Sequence, residues 1–191
     1  MTSATDETLA NLATRAAHEL AGAVSGVSDE MLDEVCSAVT AAERIALYGV
    51  GREGLMMRAL AMRLYHLGLA AHVVGEMTTP PVATNDLLAV SAGPGHFATV
   101  EALMDVARAD GAGVMLFTAQ PNAALAGRAD HVVCLPARTM AVEDGEADAV
   151  LPMGSAYEGA QYLFFELVVR ALRQRLRIDE QAMRERHTNL E

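Results

Sequence analysis

Hydrophobic and polar positions recur with different periods along the chain, and each change of period marks a predicted element. Leucine, alanine and valine return every three or four positions over 6–24 and 28–42, which predicts two helices separated at Gly26. Short, continuous apolar runs follow, and runs of this length bounded by turn residues are typical of buried strands. Five such runs predict strands at 44–48, 70–74, 87–91, 114–118 and 131–135.

Helical spacing returns between and after these runs. It predicts helices from the glycine turn at 49–51 to about 67, near 97–110 and 122–127, over 155–177 and over 179–187. Alternating strands and helices predict an α/β fold with a doubly wound, mostly parallel sheet and right-handed crossovers. Ligands of such folds bind at the carboxyl ends of the strands, so the turns that follow the strands are the places to look for a site.

The length of 191 residues and the 52% hydrophobic composition fit one domain with a sizeable core. We expect a single domain over 1–191. Its predicted parts are N-terminal helices at 1–42, a sheet core at 43–136, a polar surface loop at 137–150 and C-terminal helices at 151–191. No internal repeat divides the chain.

Charge and cysteine content exclude several classes of function. Fourteen basic and 25 acidic residues give a formal net charge of −11, which repels a phosphate backbone, so we expect no nucleic-acid partner. No apolar run approaches the roughly 20 residues of a membrane span, and the N-terminus lacks the order of a signal peptide; we expect a cytoplasmic protein without a membrane partner. Cys36 and Cys134 lie far apart, which predicts two reduced thiols and no metal site.

The first glycine turn, Gly49-x-Gly51-x-x-Gly54, lies between a strand and a helix, where backbone N–H groups bind anions. Three interpretations stay open: a dinucleotide site with Glu76 as its acidic residue, a tight turn that packs strand against helix, and a sugar site. Glu53 is unusual in any anion site, because its carboxylate takes the place of an anionic ligand and repels one.

The second turn, Ser91-Ala92-Gly93-Pro94-Gly95-His96, also follows a strand and precedes a helix. Its glycines let a ligand approach the backbone, whereas Pro94 removes one N–H donor. His96 either binds a ligand or faces solvent at the tip of the loop.

Two carboxylates on the long C-terminal helix have different surroundings. Glu166 is followed by Arg170 and Arg173 at helical spacing, which predicts a solvated, ion-paired stripe. Glu158 has no such partner and shares an apolar face. The residues of that face are Tyr162, Phe165 and Val169. A carboxylate on an apolar face is a plausible general base, and the alternative is a carboxylate that bonds a neighbouring loop.

His187, close to the end of the chain, has two interpretations as well. It is either a solvated terminal residue or a proton shuttle, a task that suits histidine near neutral pH.

Five blocks of sequence together resemble a known family. They are GVGREGL at 49–55, AMRLYHLG at 61–68, VVGE at 73–76, PMGSAYE at 152–158 and RHTNLE at 186–191. In this order, across nearly the whole chain, they look like the 6-phospho-3-hexuloisomerases, which are small sugar isomerase (SIS) domain proteins.

The resemblance implies a five-stranded parallel sheet flanked by helices, a homodimer or homotetramer, and active sites at subunit boundaries. The family reaction moves a carbonyl between C3 and C2 of a hexulose 6-phosphate through an enediol, without a metal or organic cofactor. By position, Glu158 would be the catalytic base, and His187 would assist proton transfer from across a subunit interface. The residues expected to bind the sugar or sugar phosphate are Gly51, Arg52, Glu53, Ser91, Gly93, Gly95, His96, Thr99 and Ser155.

The chain departs from the family in both glycine turns. The family has serine where this chain has Glu53, and its second turn reads Gly-Ser-Gly-Glu-Thr where this chain has Gly93-Pro94-Gly95-His96-Phe97. Lost hydroxyl donors and an added carboxylate weaken phosphate binding by several kcal/mol. Three functions therefore remain: an isomerase of a phosphorylated sugar, a non-catalytic sugar-binding or regulatory protein, and an isomerase whose substrate carries a neutral or cationic group beside Glu53.

Overall fold

The fold is seen in a computed structural model that describes residues 7–141 and 149–190. Six helices and five strands occur in these two ranges. The helices are α1 (Leu9–Ser25), α2 (Asp29–Ala41), α3 (Gly51–His66), α4 (Ala98–Ala109), α5 (Ser155–Leu176) and α6 (Glu180–Glu185). The strands are β1 (Ile45–Gly49), β2 (Ala71–Val73), β3 (Leu87–Ser91), β4 (Gly113–Thr118) and β5 (His131–Cys134).

The five strands form one parallel sheet in the order β2-β1-β3-β4-β5. The chain runs from β1 outwards to β2 and then returns to β3 on the other side of β1. The ends of β1 and β3 lie side by side, since Gly49 pairs with Ser91. This is the topological switch point of a doubly wound sheet, where such folds bind ligands. The expected α/β architecture is confirmed.

Alternation along the strands produces two cores, one on each face of the sheet. One face carries side chains such as Leu47, Ala89 and Phe117, which pack against α2, α3 and α5. The other face carries side chains such as Val90 and Leu116, which pack against α4. Both faces are buried, which is why the strands appear in the sequence as continuous apolar runs.

Local polar contacts set several helix boundaries. The side-chain oxygens of Thr8, Ser28 and Asp179 accept hydrogen bonds from the first turns of α1, α2 and α6. Gly26 follows α1, and a Cβ there would lie 2.8 Å from Pro136 Cγ. The predicted break at Gly26 therefore coincides with a close approach that only glycine allows.

Two predicted elements differ from the structure. The helix expected at 122–127 is only a short 3-10 turn at Ala126–Arg128, because the segment after Pro121 is too short to offset the cost of starting an α-helix. The final helix ends at Glu185 rather than at 187. Of the predicted surface loop at 137–150, residues 137–141 and 149–150 are irregular, and residues 142–148 lie outside the described residues. Within the described ranges no helix is long and apolar enough to span a membrane.

Candidate active site

The first glycine turn packs β1 closely against α3. A Cβ at Gly54 would lie 2.4 Å from the carbonyl oxygen of Gly49, so this part of the pattern serves strand-to-helix packing. Gly51 has a φ of +59°, and a Cβ there would meet no atom within 4 Å. Glu76, which a dinucleotide site would use, lies at the surface with Oε1 3.8 Å from Arg58 Nη1. The turn thus leaves open backbone only at Gly51.

Glu53 extends from the first turn of α3 towards the end of β3. Its Oε2 accepts a hydrogen bond of 2.5 Å from the Ser91 hydroxyl and another of 2.9 Å from the backbone N–H of Gly93. Only 6% of the residue is exposed. Ser91 and Gly93, both predicted to bind substrate, therefore donate to a carboxylate of the protein itself.

The position of Glu53 changes its acidity. Burial raises the pKa of Glu53 above its ordinary value of 4.5, and the nearby charge of Glu158 raises the pKa further. Hydrogen bonds from Ser91 and Gly93 act in the opposite direction, because they stabilise the ionised form. The net effect is a pKa above that of a glutamate in water, so the carboxyl group of Glu53 keeps its proton to higher pH.

Two residues of α5 complete a buried polar network around Ser91. Gln161 Nε2 donates to Ser91 Oγ at 2.8 Å, and the Tyr157 hydroxyl lies 3.3 Å from the same oxygen. Burial, and then the charge of Glu53, hold the pKa of Tyr157 well above its usual range. Gly93 fits between these groups only as glycine, since a Cβ would lie 2.7 Å from the Tyr157 ring.

Sequence reasoning did not single out Tyr157 or Gln161 as site residues. Gln161 is fully buried and lies one helical turn after Tyr157. A polar residue four positions after Tyr157, on the apolar face of a helix, could have indicated a buried hydrogen-bond network, because a buried amide needs partners.

Glu158 lies beside the same network. It has no cationic partner on its own helix, and its partner comes from α3. Arg52 Nε lies 3.1 Å from Glu158 Oε2, and Arg52 Nη1 donates to Ser155 Oγ at 2.9 Å. The side chain of Glu158 is 14% exposed, and Oε2 accepts no hydrogen bond of good geometry from any residue in the described ranges. The contact with Arg52 is therefore ionic, and it exists because the first turns of α3 and α5 meet at this edge of the sheet.

The remaining predicted binding residues of the second turn lie farther out. His96 Nε2 is 3.0 Å from Glu101 Oε2, and the histidine side chain is 59% exposed. Thr99 is exposed in the first turn of α4. Gly95 has a φ of +94°, which glycine adopts readily. The structure thus favours the solvent-facing interpretation of His96.

Glu166 also has a different partner from the one predicted. Its Oε1 lies 3.3 Å from Arg63 Nε on α3, instead of pairing with Arg170 or Arg173 along its own helix. The prediction of a surface ion pair holds, but the pair joins two helices.

His187 lies at the opposite edge of the sheet. Its ring centroid is 5.1 Å from that of His66, the last residue of α3, and Arg186 Nη1 donates to the His66 carbonyl at 3.2 Å. Arg52 and His66 are 14 residues apart in α3, so a rise of 1.5 Å per residue separates them by about 20 Å. One chain therefore does not bring Glu158 and His187 together.

No group of three or more histidine, cysteine, aspartate or glutamate side chains within 7–141 and 149–190 is arranged to hold a metal ion. Cys36 and Cys134 are free thiols, and burial raises the pKa of both. The chemistry available at the switch point is that of two carboxylates, a guanidinium and hydroxyl groups.

Comparison with known proteins identifies the family. The SIS domain family matches residues 38–160, which include both glycine turns and the first turn of α5. The chain belongs to the SIS domain family. Its parallel sheet and flanking helices are those expected of that family.

Named relatives support a sugar isomerase family. The chain is 31% identical to the 3-hexulose-6-phosphate isomerase of Bacillus subtilis, over 91% of this chain and 94% of the relative. It is 34% identical to the 3-hexulose-6-phosphate isomerase of Mycobacterium gastri, over 91% of this chain and 86% of the relative.

A solved structure gives the same indication. A protein of Methanococcus jannaschii, whose crystal structure was used to infer a function as 3-hexulose-6-phosphate isomerase, superposes with a TM-score of 0.82 at 28% identity. The match covers 94% of this chain and 98% of the other.

Proposed function

We propose that this SIS protein is a sugar isomerase that moves a carbonyl between adjacent carbons of a hexulose, with Glu158 as the general base. The observation that carries the proposal is the Glu158 carboxylate itself. It is mostly buried at the ligand-binding edge of the sheet, it has an ionic contact to Arg52, and its Oε2 lacks a well-formed hydrogen bond within the described ranges. A carboxylate held in this way is able to take a proton from carbon.

The reaction would proceed by proton transfers at two adjacent carbons and between their two oxygens. Glu158 takes the proton from the carbon next to the carbonyl, and the bonding electrons form an enediol whose oxygen gains negative charge. The guanidinium of Arg52, beside Glu158, stabilises that charge. The proton then returns to the former carbonyl carbon, and a hydroxyl proton moves between the two oxygens. The carbonyl has moved by one position, and no net oxidation has occurred.

We propose that His187 of a second copy handles the hydroxyl proton. The separation of about 20 Å along α3 keeps the His187 of one chain away from its own Glu158. A complete site would then need a homodimer or homotetramer in which the terminal segment of one copy reaches the Glu158 of another.

Two relatives are named for 3-hexulose 6-phosphate, so a phosphorylated hexulose is one candidate substrate and an unphosphorylated hexulose is the other. One observation favours a second candidate, a sugar-binding protein without turnover. Ser91 and the Gly93 N–H, which could bind a phosphate group, are occupied by Glu53. The ionic contact between a carboxylate in the first turn of α5 and a guanidinium in the first turn of α3 favours the isomerase.

Isotope exchange with solvent tests this function directly. Hexulose and hexulose 6-phosphate are incubated with the protein in D2O, and both carbonyl migration and deuterium at the adjacent carbon are followed by NMR. Glu158→Gln removes the base and is expected to lower kcat/KM by about 10²-fold or more. Glu166→Gln is the control, because it changes a carboxylate of the same helix that pairs with Arg63 away from the switch point.

The outcomes separate the two candidates. Migration with deuterium uptake that is lost only in Glu158→Gln supports the isomerase. Sugar binding without exchange would support the sugar-binding protein. Full activity in Glu158→Gln would remove Glu158 from the mechanism.

A further inference from the structure

We propose that Glu53 is a specificity-determining residue that fills the anion position of the site, so that the substrate presents a neutral hydroxyl group there rather than a phosphate dianion. This inference rests on the proposed function in that it treats the ligand as a substrate, but it concerns only which ligands bind. It predicts that the group of the sugar that lies beside Glu53 is uncharged.

The position of Glu53 is the first support. The switch point between β1 and β3 is where a doubly wound sheet offers donors to an anion. The Glu53 carboxylate occupies this place with the geometry of a bound anion, accepting from the Ser91 hydroxyl at 2.5 Å and the Gly93 N–H at 2.9 Å. The chain thus supplies its own anion.

Residues 92–95 of the turn after β3 have no free backbone donor. The N–H of Ala92 donates to the Phe117 carbonyl at 3.0 Å, and that of Gly95 donates to the Ala92 carbonyl at 2.9 Å. Gly93 donates to Glu53, and Pro94 has no N–H group. Every residue from 92 to 95 is therefore engaged or lacks a donor, and this segment cannot cradle a phosphate group while Glu53 stays in place.

The charges around the switch point also oppose a dianion. Two carboxylates, Glu53 and Glu158, lie beside the first turn of α3, and the guanidinium of Arg52 already contacts Glu158. His96 is turned towards Glu101 on the outer surface. A dianion would meet like charges without a matching excess of cations.

A neutral sugar suits the same groups. The first turn of α3 carries no side-chain cap, so its N–H groups are available to hydroxyl oxygens. None of the described residues donates a hydrogen bond to Glu53 Oε1, whereas Oε2 accepts two. A sugar hydroxyl can both donate to Oε1 and accept from the helix N-terminus, whereas a phosphate dianion has no proton to donate to Oε1.

The test compares two ligands that differ only in the phosphate group, fructose and fructose 6-phosphate. Their dissociation constants are measured by calorimetry at one low ionic strength, and the ratio of the two constants is the readout. The wild-type protein is expected to bind fructose 6-phosphate no more tightly than fructose. Glu53→Ser frees the Gly93 N–H and removes the charge. It should therefore increase the affinity for fructose 6-phosphate relative to fructose by at least tenfold.

Two further variants sharpen the comparison. Glu53→Gln removes the charge but keeps an oxygen that accepts from Ser91 and Gly93, so it should shift the ratio in the same direction by about threefold. Glu76→Gln changes an exposed carboxylate beside α3 and should leave the ratio unchanged.

The proposal fails if the wild-type protein binds fructose 6-phosphate at least tenfold more tightly than fructose. It also fails if Glu53→Ser leaves the ratio as it was, including the case in which neither ligand binds. Should Glu53→Ser not fold, Glu53→Gln decides, and an unchanged ratio there counts against the proposal. Turnover is not needed for this measurement, so failure of the isomerase proposal is distinguishable from failure of this one.

Discussion

The buried carboxyl group of Glu53 should make the stability of the protein depend on pH in an unusual direction. Burial raises the pKa of Glu53 above 4.5, so the folded state holds its proton at pH values where the unfolded state has lost it. In that window, stability falls as the pH rises. Most paired carboxylates act in the opposite sense, because their folded pKa is lowered.

Glu53→Gln isolates this effect, since glutamine keeps the volume and one acceptor oxygen but does not titrate. Below pH 4.5 the difference in unfolding free energy between wild type and variant should be constant. As the pH rises from 4.5 through the folded pKa, the wild type should lose stability relative to the variant. The slope for one proton is at most about 1.4 kcal/mol per pH unit, and each unit by which the pKa is raised contributes about 1.4 kcal/mol. Above the folded pKa the difference should again be constant.

Urea unfolding between pH 3 and pH 8, followed by circular dichroism, measures the difference. Glu30→Gln is a control of opposite sign. The pKa of Glu30 is lowered by its own backbone N–H and by the Ser28 hydroxyl, so the wild type should lose stability relative to this control as the pH falls. If the wild type instead gains stability over Glu53→Gln with rising pH, the hydrogen bonds from Ser91 and Gly93 outweigh burial, and the reasoning about Glu53 is wrong.

Two further predictions concern packing and the terminal segment. Gly93→Ala should destabilise the protein by about 1–3 kcal/mol because its Cβ would lie 2.7 Å from the Tyr157 ring. Gly22→Ala in α1 is the control: its Cβ would meet no atom within 4 Å, so this variant should be neutral or stabilised by up to about 1 kcal/mol. Equal effects of the two variants in urea unfolding would contradict this account. Arg186→Gln removes the hydrogen bond to the His66 carbonyl, so backbone amides at 187–190 should exchange faster with D2O; unchanged exchange would show that other contacts hold the segment.

The sheet could be predicted from the sequence because each strand is marked by the residues within the strand itself. Strands buried on both faces need continuous apolar runs, and each of the five runs became a strand within one or two residues of its predicted ends. The segment at 122–127 was mistaken for a helix because alanine and leucine there satisfy helical spacing. Leu125 is buried by packing against the sheet, and burial alone does not require a helix.

The candidate site could be predicted only in part, because its contacts join distant positions. Spacing along α5 shows that Glu158 has no cationic partner on its own helix, but it does not reveal Arg52, which reaches Glu158 from the first turn of another helix. Its residue type alone marks Glu53 as unusual, because a carboxylate repels the anion that such a glycine turn is expected to bind. That its carboxylate bonds Ser91 and Gly93 depends on the pairing of β1 with β3, which no local pattern contains.

The placement of Glu158 and His187 at opposite ends of α3 restricts the symmetry of any assembly that unites them. Each copy would both give a histidine and receive one. A twofold dimer satisfies both demands at once, because the same surface serves each partner and two sites form together. An open head-to-tail row would leave one site without a histidine at one end and one unused histidine at the other, unless the row closed into a ring. The proposal that His187 acts in the site of another copy therefore predicts a closed assembly with as many sites as chains.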